Sequence, residues 1–331
     1  MPDHPALLVA VVVTALFFDF TNGLNDSANA IATVISTRVL SPRKAIAMAA
    51  VLNFAGAFFT TAVATTIGKD IVAAHDVTQF VVLSAVVAAA LWNLAATSAG
   101  MPISASHALV GGLVGAVIAD KGPSVLNAAG LTKIFTALLI SPIFGFIGGF
   151  TLMVILFRIF HSSAPAKLNR VFGKLQILSA SFMAFSHGSN DAQKSMGIIT
   201  LALVSGGALG TFKVPVWVMA ACASVIALGT AVGGWKVIKT LGVKIHHMQP
   251  IHGFAAETTA SMVILAASHM GAPVSTTHVI SSCIVGVGAS KRLSAVRWGI
   301  ARHIVLAWIL TLPVTAGAGW CLSTLLHALM R

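Results

Sequence analysis

Asp19-Phe20-Thr21-Asn22-Gly23-Leu24-Asn25-Asp26-Ser27-Ala28 is echoed 165 residues later by Ala184-Phe185-Ser186-His187-Gly188-Ser189-Asn190-Asp191-Ala192-Gln193. Both copies keep an aromatic residue, a hydroxyl, an amide or imidazole, Gly, one free position and then Asn-Asp, and both lie inside long apolar segments. A carboxylate in hydrocarbon is costly, and Gly among turn-forming polar residues predicts a helix break. A costly feature placed twice, at matched points, predicts a site rather than a packing accident.

Around these copies the chain is 57% hydrophobic and 8% charged, with a mean hydropathy of +0.94. Apolar stretches of spanning length recur from end to end, which predicts an all-α polytopic membrane protein sitting in a lipid bilayer. The net charge of +12 does not indicate nucleic acid, because Lys and Arg fall in short loops between spans rather than on one basic face. Cys222, Cys283 and Cys321 sit in apolar segments without paired spacing, so neither a disulfide nor a transition-metal site is expected. Asp3 and His4 stand where a signal peptide would carry basic residues, so the first apolar run reads as a retained span.

The pattern predicts about ten crossings, at 7–37 (broken), 43–66, 79–100, 101–119, 131–157, 175–206 (broken), 215–235, 253–270, 272–289 and 302–327. One set of alternate loops holds Arg38, Arg43, Lys44, Arg158, Lys167, Arg170, Lys174, Lys236, Lys239, Lys244, Lys291, Arg292, Arg297 and Arg302. The opposite ends hold Lys69, Lys121, Lys133, Lys213 and Arg331, and Lys194 lies within the second motif. The positive-inside rule places the first set in the cytoplasm and both termini outside. The two motifs then enter from opposite faces, as two inverted-topology repeats, 1–157 (motifs 19–33 and 100–115) and 175–331 (motifs 184–200 and 271–288), joined by a basic linker at 158–174. Segments 101–119 and 272–289 are short enough to be re-entrant instead.

A second duplication supports this division. Gly100-Met101-Pro102-Ile103-Ser104-Ala105-Ser106-His107 recurs as Gly271-Ala272-Pro273-Val274-Ser275-Thr276-Thr277-His278, offset by 171, with glycines following both. Gly is suited to end one helix, Pro to the first turn of the next, and Ser or Thr there sets hydroxyls beside unpaired N–H groups. Such a helix start is an anion site. With breaks also at Gly23 and Gly188, four helix ends are expected to meet at one central cavity, since irregular backbone at membrane depth needs protein or water around it.

At these residues the chain resembles the inorganic phosphate transporter (Pit or PiT) family, particularly its short bacterial members. The Asn22–Thr33 run, the Ser186–Lys194 run and the two Pro-x-Ser-x-[Ser/Thr]-His motifs carry the likeness. It extends through Trp92-Asn93-Leu94, Gly253-Phe254-Ala255-Ala256-Glu257-Thr258 and Ala295-Val296-Arg297-Trp298-Gly299. The resemblance implies secondary transport of inorganic phosphate, coupled to Na+ or H+, across the cell (inner) membrane, with no cofactor. In some bacterial members a metal–phosphate complex is the cargo, some relatives carry sulfate, and homodimers are common. Some relatives place a Glu in the span after the first signature; here the nearest polar residue is Asn53.

The candidate coupling-ion residues are Asp26, Asp191, Glu257 and Asn22, with Na+ placed at the two aspartates. The candidate phosphate ligands are Asn25, Ser104, Ser106, Asn190, Ser275, Thr276, Thr277 and Lys194. Ser104 and Ser275, at matched positions, are favoured among the hydroxyls, with Thr276 or Thr277 in addition, since adjacent helical residues diverge by about 100°. Glu257 is the only Glu, Asp19 lies one turn before the first motif's break, and His107 and His278 are as suited to holding backbone as to touching substrate. An intramembrane hydrolase is disfavoured because no Gly-x-Ser-x-Gly elbow is present, and a passive channel would not show concentrative uptake.

Overall fold

The computed structural model describes residues 5–329 and is all-helical over them. Asp3, His4 and Arg331 lie outside the described residues. The first half contains α1 (Pro5–Ser36), α2 (Pro42–Gly56), α3 (Ala62–Lys69), α4 (Gln79–Ala99), α5 (Ala105–Lys121) and α6 (Ala128–Ile159). The second contains α7 (Pro165–Ser205), α8 (Val216–Val232), α9 (Trp235–Lys239), α10 (Pro250–His269), α11 (Thr276–Lys291) and α12 (Trp298–Leu329), with a π-helical stretch, Thr240–Lys244, after α9. Long helix, broken pair, hairpin, long helix: the order is the same in both halves. α7 begins at Pro165, so the predicted linker is helical over its second part.

Burial is reversed relative to a water-soluble bundle. Along α1, Asp19, Asn22, Asn25, Asp26, Asn29 and Thr33 are buried, and along α7 so are His187, Asn190, Asp191 and Lys194. Leu139, Ile143, Phe144 and Ile147 on α6, and Ile309 and Leu310 on α12, face outward. Only a hydrocarbon surround makes that arrangement favourable, with polar groups enclosed by protein and aliphatic side chains against lipid. Four helices, α1, α4, α6 and α12, are long and apolar enough to cross a membrane alone. The chain is a multi-pass membrane protein.

The predicted breaks at Gly23 and Gly188 are absent: α1 and α7 run through their motifs as continuous helices of 32 and 41 residues. These glycines serve close approach instead. A Cβ at Gly23 would strike the Ile226 carbonyl of α8, and one at Gly188 the Asn53 carbonyl of α2. Reciprocally, Gly229 meets the Phe20 carbonyl and Gly56 the Phe185 carbonyl. Each long helix thus crosses the other half's broken helix backbone to backbone, the small-residue contact on which helix association in lipid depends.

The breaks lie in those broken helices. The predicted span 43–66 is interrupted between α2 and α3, and the span 215–235 at Gly233-Gly234, with a 64° bend. The free N–H groups this creates are capped from the signature motifs. Gln193 Oε1 accepts from Ala64 N at 3.1 Å, and Ser27 Oγ accepts from Gly234 N at 2.9 Å.

The Gly-x-Pro-x-Ser segments are hinges of hairpins. Gly100 (φ 71°) and Gly271 (φ 67°) take the left-handed conformation that ends α4 and α10, and Met101 N and Ala272 N close back on Ala96 O and Ala267 O at 2.9 and 2.8 Å. Pro102 and Pro273 fall in the extended links, not in the first turns of the next helices, whose caps are Ser104 and Ser275. α5 then folds back along α4, with Gly112 beside the Ala85 carbonyl. The two hinges touch, Ser106 Oγ donating to Val274 O at 2.9 Å. Segments 101–119 and 272–289 thus form the second arms of two helical hairpins, α4–α5 and α10–α11. The hairpins are exchanged between halves: α5 packs on α12, with Gly115 against the Ala316 carbonyl, and α11 packs on α6, with Gly286 against the Phe146 carbonyl.

Candidate functional site

α1 and α7 cross with falling numbers on one meeting rising numbers on the other. Thr37 pairs with Gln176, Asp26 lies beside His187, and Asn22 donates to Asp191. The helices are antiparallel, and the two signature aspartates face each other across the crossing. On each helix the polar residues fall at i, i+4 and i+7 (Asn22, Asp26, Asn29; His187, Asp191, Lys194), which is one helical face.

Asp191 Oδ2 gathers most of the donors. Lys194 Nζ is 2.9 Å away, Thr276 Oγ1 donates at 3.3 Å, Asn22 Nδ2 at 3.4 Å, and His187 Nε2 lies at 3.3 Å. Asp26 receives Thr277 Oγ1 on Oδ1 at 2.9 Å and Thr276 Oγ1 on Oδ2 at 3.5 Å, with His187 Nε2 3.9 Å from Oδ2. Asn29 Nδ2 donates to both threonines, at 3.2 and 2.9 Å. All these groups are buried. The site is closed on every side, with two carboxylates and one ammonium, which is held against Asp191.

Ligand-capable atoms of Asp26, His187 and Asp191 lie within 4.8 Å of one another. His187 is anchored from behind: its Nδ1 is 3.0 Å from Asn53 Oδ1, and Asn53 Nδ2 donates to Thr230 Oγ1 at 2.8 Å. Asn53 therefore reaches the site through an imidazole, in the span where some relatives carry a Glu.

Of the candidate residues, Asn22, Asp26, Asp191, Lys194, Thr276 and Thr277 converge here. Asn25 and Asn190 instead clamp the hairpins at matched points, Asn25 Nδ2 donating to Thr97 Oγ1 at 2.8 Å and Asn190 Nδ2 to Ser268 Oγ at 3.0 Å. Ser104 and Ser275 accept from His107 N and His278 N as helix caps, at 3.1 and 3.2 Å. Thr276 and Thr277 both reach Asp26, because a helix's first turn presents successive residues toward the space at its end. The His107 and His278 rings stack on each other with centroids 4.7 Å apart, and Trp308 lies 3.9 Å from His278.

Glu257 lies apart, accepting from Thr33 Oγ1 and Ser179 Oγ, and from Gln176 Nε2 at 3.2 Å. Thr33 is two turns along α1 from Asp26. Asp19 is buried with neither carboxylate oxygen hydrogen-bonded. Asn29 and His187 were not among the sequence candidates, although their i, i+4, i+7 spacing with the aspartates was the available signal.

The profile of the family described as "Phosphate transporter family" matches residues 22–169 and again 159–319. The chain belongs to the phosphate transporter family. It is 48% identical over 316 residues to a protein of Bacillus subtilis (strain 168) named "Probable low-affinity inorganic phosphate transporter", covering 95% of each chain. It is 47% identical to a protein of the same name from Rhizobium meliloti (strain 1021), covering 94% of this chain and 93% of that one. A solved structure described as "The sodium-dependent phosphate transporter" superposes with a TM-score of 0.91 at 26% identity, covering 98% of this chain and 99% of that one. These relatives are transporters, and this family member is not an enzyme.

Lys194 is the closed site's standing counter-charge. Removing one partner of a buried ion pair costs about 3–5 kcal/mol, because the other charge is left uncompensated. Lys194→Gln is expected to lower the thermal unfolding midpoint in detergent, and Lys194→Gln combined with Asp191→Asn to recover part of that loss. Strictly additive losses in this double-mutant cycle would refute the pairing.

Proposed function

We propose that this transporter is a symporter of inorganic phosphate across the cell inner membrane, driven by a Na+ or H+ gradient through alternating access. The observation that carries the reading is the closed cluster in which Asp26 and Asp191, one from each half, meet Thr276 and Thr277 at the start of α11. Two carboxylates facing hydroxyls at a helix N-terminus suit an anion and a cation bound together. The likeness to a solved transporter described as sodium-dependent favours Na+ as the coupling ion.

In this reading Thr276, Thr277 and the N–H groups at the start of α11 receive phosphate oxygens. Na+ takes carboxylate oxygens of Asp26 and Asp191 with the Asn22 amide, displacing Lys194 from Asp191 toward the phosphate. One Na+ offsets the charge of H2PO4⁻, so the loaded cluster carries the same net charge as the empty one and can be re-exposed on the other side. Asn25, Asn190, Ser104, Ser106 and Ser275 hold the hairpins in place for this exchange. Glu257 is a third coupling carboxylate. A divalent metal arriving as a metal–phosphate complex would meet Asp26, His187 and Asp191.

Inverted topology is supported by the antiparallel α1–α7 crossing and by the fourteen basic residues on one set of loops. Both termini outside follows if α4–α5 and α10–α11 each leave and return on the same side of the membrane, as two full crossings or one re-entrant hairpin would. The transporter is proposed to pair as a homodimer, as its resemblance to the family implies.

Uptake of labelled phosphate into proteoliposomes is expected to become concentrative when a Na+ gradient is imposed and to remain passive under a pH gradient alone. Stimulation by the pH gradient alone would assign H+, and no response to either would remove symport. Sulfate at equal concentration is expected not to displace the label, because hydrogen phosphate can donate a proton to a carboxylate and sulfate only accepts. Displacement would make sulfate the substrate.

A further inference from the structure

A cavity of about 320 Å³ lies at the junction of the segment following the π-helical stretch, the first turn of α10, the end of α11 and the start of α12. His246, Gln249, His252, Lys291, Arg292 and Arg297 line it, and among the described residues no carboxylate does. This is the end of the bundle where the basic loops gather, away from the α1–α7 site.

Two buried histidines give the cavity a specific polarity. His246 Nδ1 lies 3.1 Å from the Ala295 carbonyl, to which it must donate, and its Nε2 is buried with no hydrogen-bond partner. Burial lowers the pKa of His246 below its ordinary value, leaving that Nε2 a bare lone pair. His252 is the opposite tautomer. Its Nδ1 accepts from Gln249 N at 3.0 Å, which leaves its Nε2 to carry the N–H. Beside Ser294 and the exposed His247, the cavity therefore offers three cations, one buried imidazole donor and one buried imidazole acceptor.

We propose that this cavity binds a protonated phosphate group, with Lys291, Arg292 and Arg297 donating to its oxygens and His246 Nε2 accepting its P–OH. A group with both negative oxygens and a hydroxyl uses every feature of the lining. Sulfate, with no proton to donate, would leave the His246 lone pair facing an anion. The phosphate group comes either from free inorganic phosphate or from a phosphomonoester lipid headgroup such as phosphatidic acid.

The cavity is coupled to the interior by the chain that enters it. Thr240, in the π-helical stretch, donates to Gly100 O at 2.9 Å at the first hinge, and Gly242 lies against the Ala32 carbonyl of α1. Occupancy braces this segment, and phosphate accumulating on that side slows further uptake. That consequence rests on the proposed symport, whereas the binding does not.

The test is equilibrium binding of radiolabelled phosphate to the full-length protein in phosphatidylcholine nanodiscs, in an Asp191→Asn background that silences the central site. Native mass spectrometry of bound phosphatidic acid runs in parallel. Lys291→Gln with Arg297→Gln is expected to weaken one of these ligands by at least about tenfold, and sulfate not to displace it. The ligand so weakened names the source. If Asp191→Asn does not fold, the same comparison in the wild-type background is expected to show one phosphate or phosphatidic acid fewer per chain. No weakening of either ligand, or displacement by equimolar sulfate, overturns the proposal. Because binding is read without transport, failure here leaves the symport reading standing.

Discussion

Asp191→Asn is expected to reduce gradient-driven phosphate uptake by roughly 100-fold or more, in line with about 3 kcal/mol or more for removing one partner of a buried charge cluster. The Oδ2 oxygen of Asp191 faces Lys194, His187, Asn22 and Thr276. An asparagine there keeps the shape, removes the charge, and presents either a weaker acceptor or an N–H donor to those groups. Asp26 is placed differently. It holds two hydroxyls and a more distant imidazole, with no ammonium against it. In the proposed symport it is the carboxylate that receives the incoming cation. Asp26→Asn is therefore expected to retain phosphate binding while losing stimulation by the coupling ion. Uptake in proteoliposomes, with equilibrium phosphate binding on the same preparations, separates the two outcomes. Unchanged concentrative uptake in both variants would remove the aspartates from the mechanism.

Gly188→Val is expected to destabilise the protein by about 3 kcal/mol or more, beyond the usual 1–3 kcal/mol of overpacking. The added side chain meets the backbone of α2 at Asn53, and no rotamer change can relieve a clash with a carbonyl of a neighbouring helix. Gly23→Val should behave alike against Ile226 of α8, and Gly317→Val, where nothing lies within 4 Å, should be neutral. Thermal unfolding of detergent-purified protein followed by size-exclusion chromatography measures this. A monodisperse Gly188→Val protein unfolding within a few degrees of wild type would show that the crossing tolerates separation.

The same glycine marks where sequence reading succeeded and where it failed. The duplicated Asn-Asp phrase pointed to a shared site, and its two copies meet in one buried cluster. Gly100 and Gly271 behaved as helix ends because a left-handed residue followed by Pro leaves the chain little alternative. Gly23 and Gly188 have equally suggestive local neighbours, yet tertiary packing decided the outcome. Their polar neighbours find partners on the facing long helix and on α4 and α10, so the helices continue, and the absence of a side chain is used by α8 and α2. The true break at Gly233-Gly234 carried a legible signal, a glycine pair, whereas the α2–α3 break did not, with only Gly56 and two threonines nearby. Glu257 could be singled out as the sole Glu, but its partners Thr33, Gln176 and Ser179 come from two other helices, and no spacing rule joins them. Ser104 and Ser275 cap their own helices while Thr276 and Thr277 reach the aspartates, a division that helical spacing alone did not indicate.

The exchange of hairpins between halves constrains how the protein is made. When synthesis has completed α6, the α4–α5 hairpin has no α12 to rest on, and α6 has no α11. The first half leaves the ribosome as an inserted but unfinished assembly, with Gly115 facing lipid in place of the Ala316 backbone. Maturation must wait for the last helix, so late truncations should damage the earliest part of the chain. Two fragments separated in the connection between α6 and α7 should be degraded singly and rescue each other when produced together.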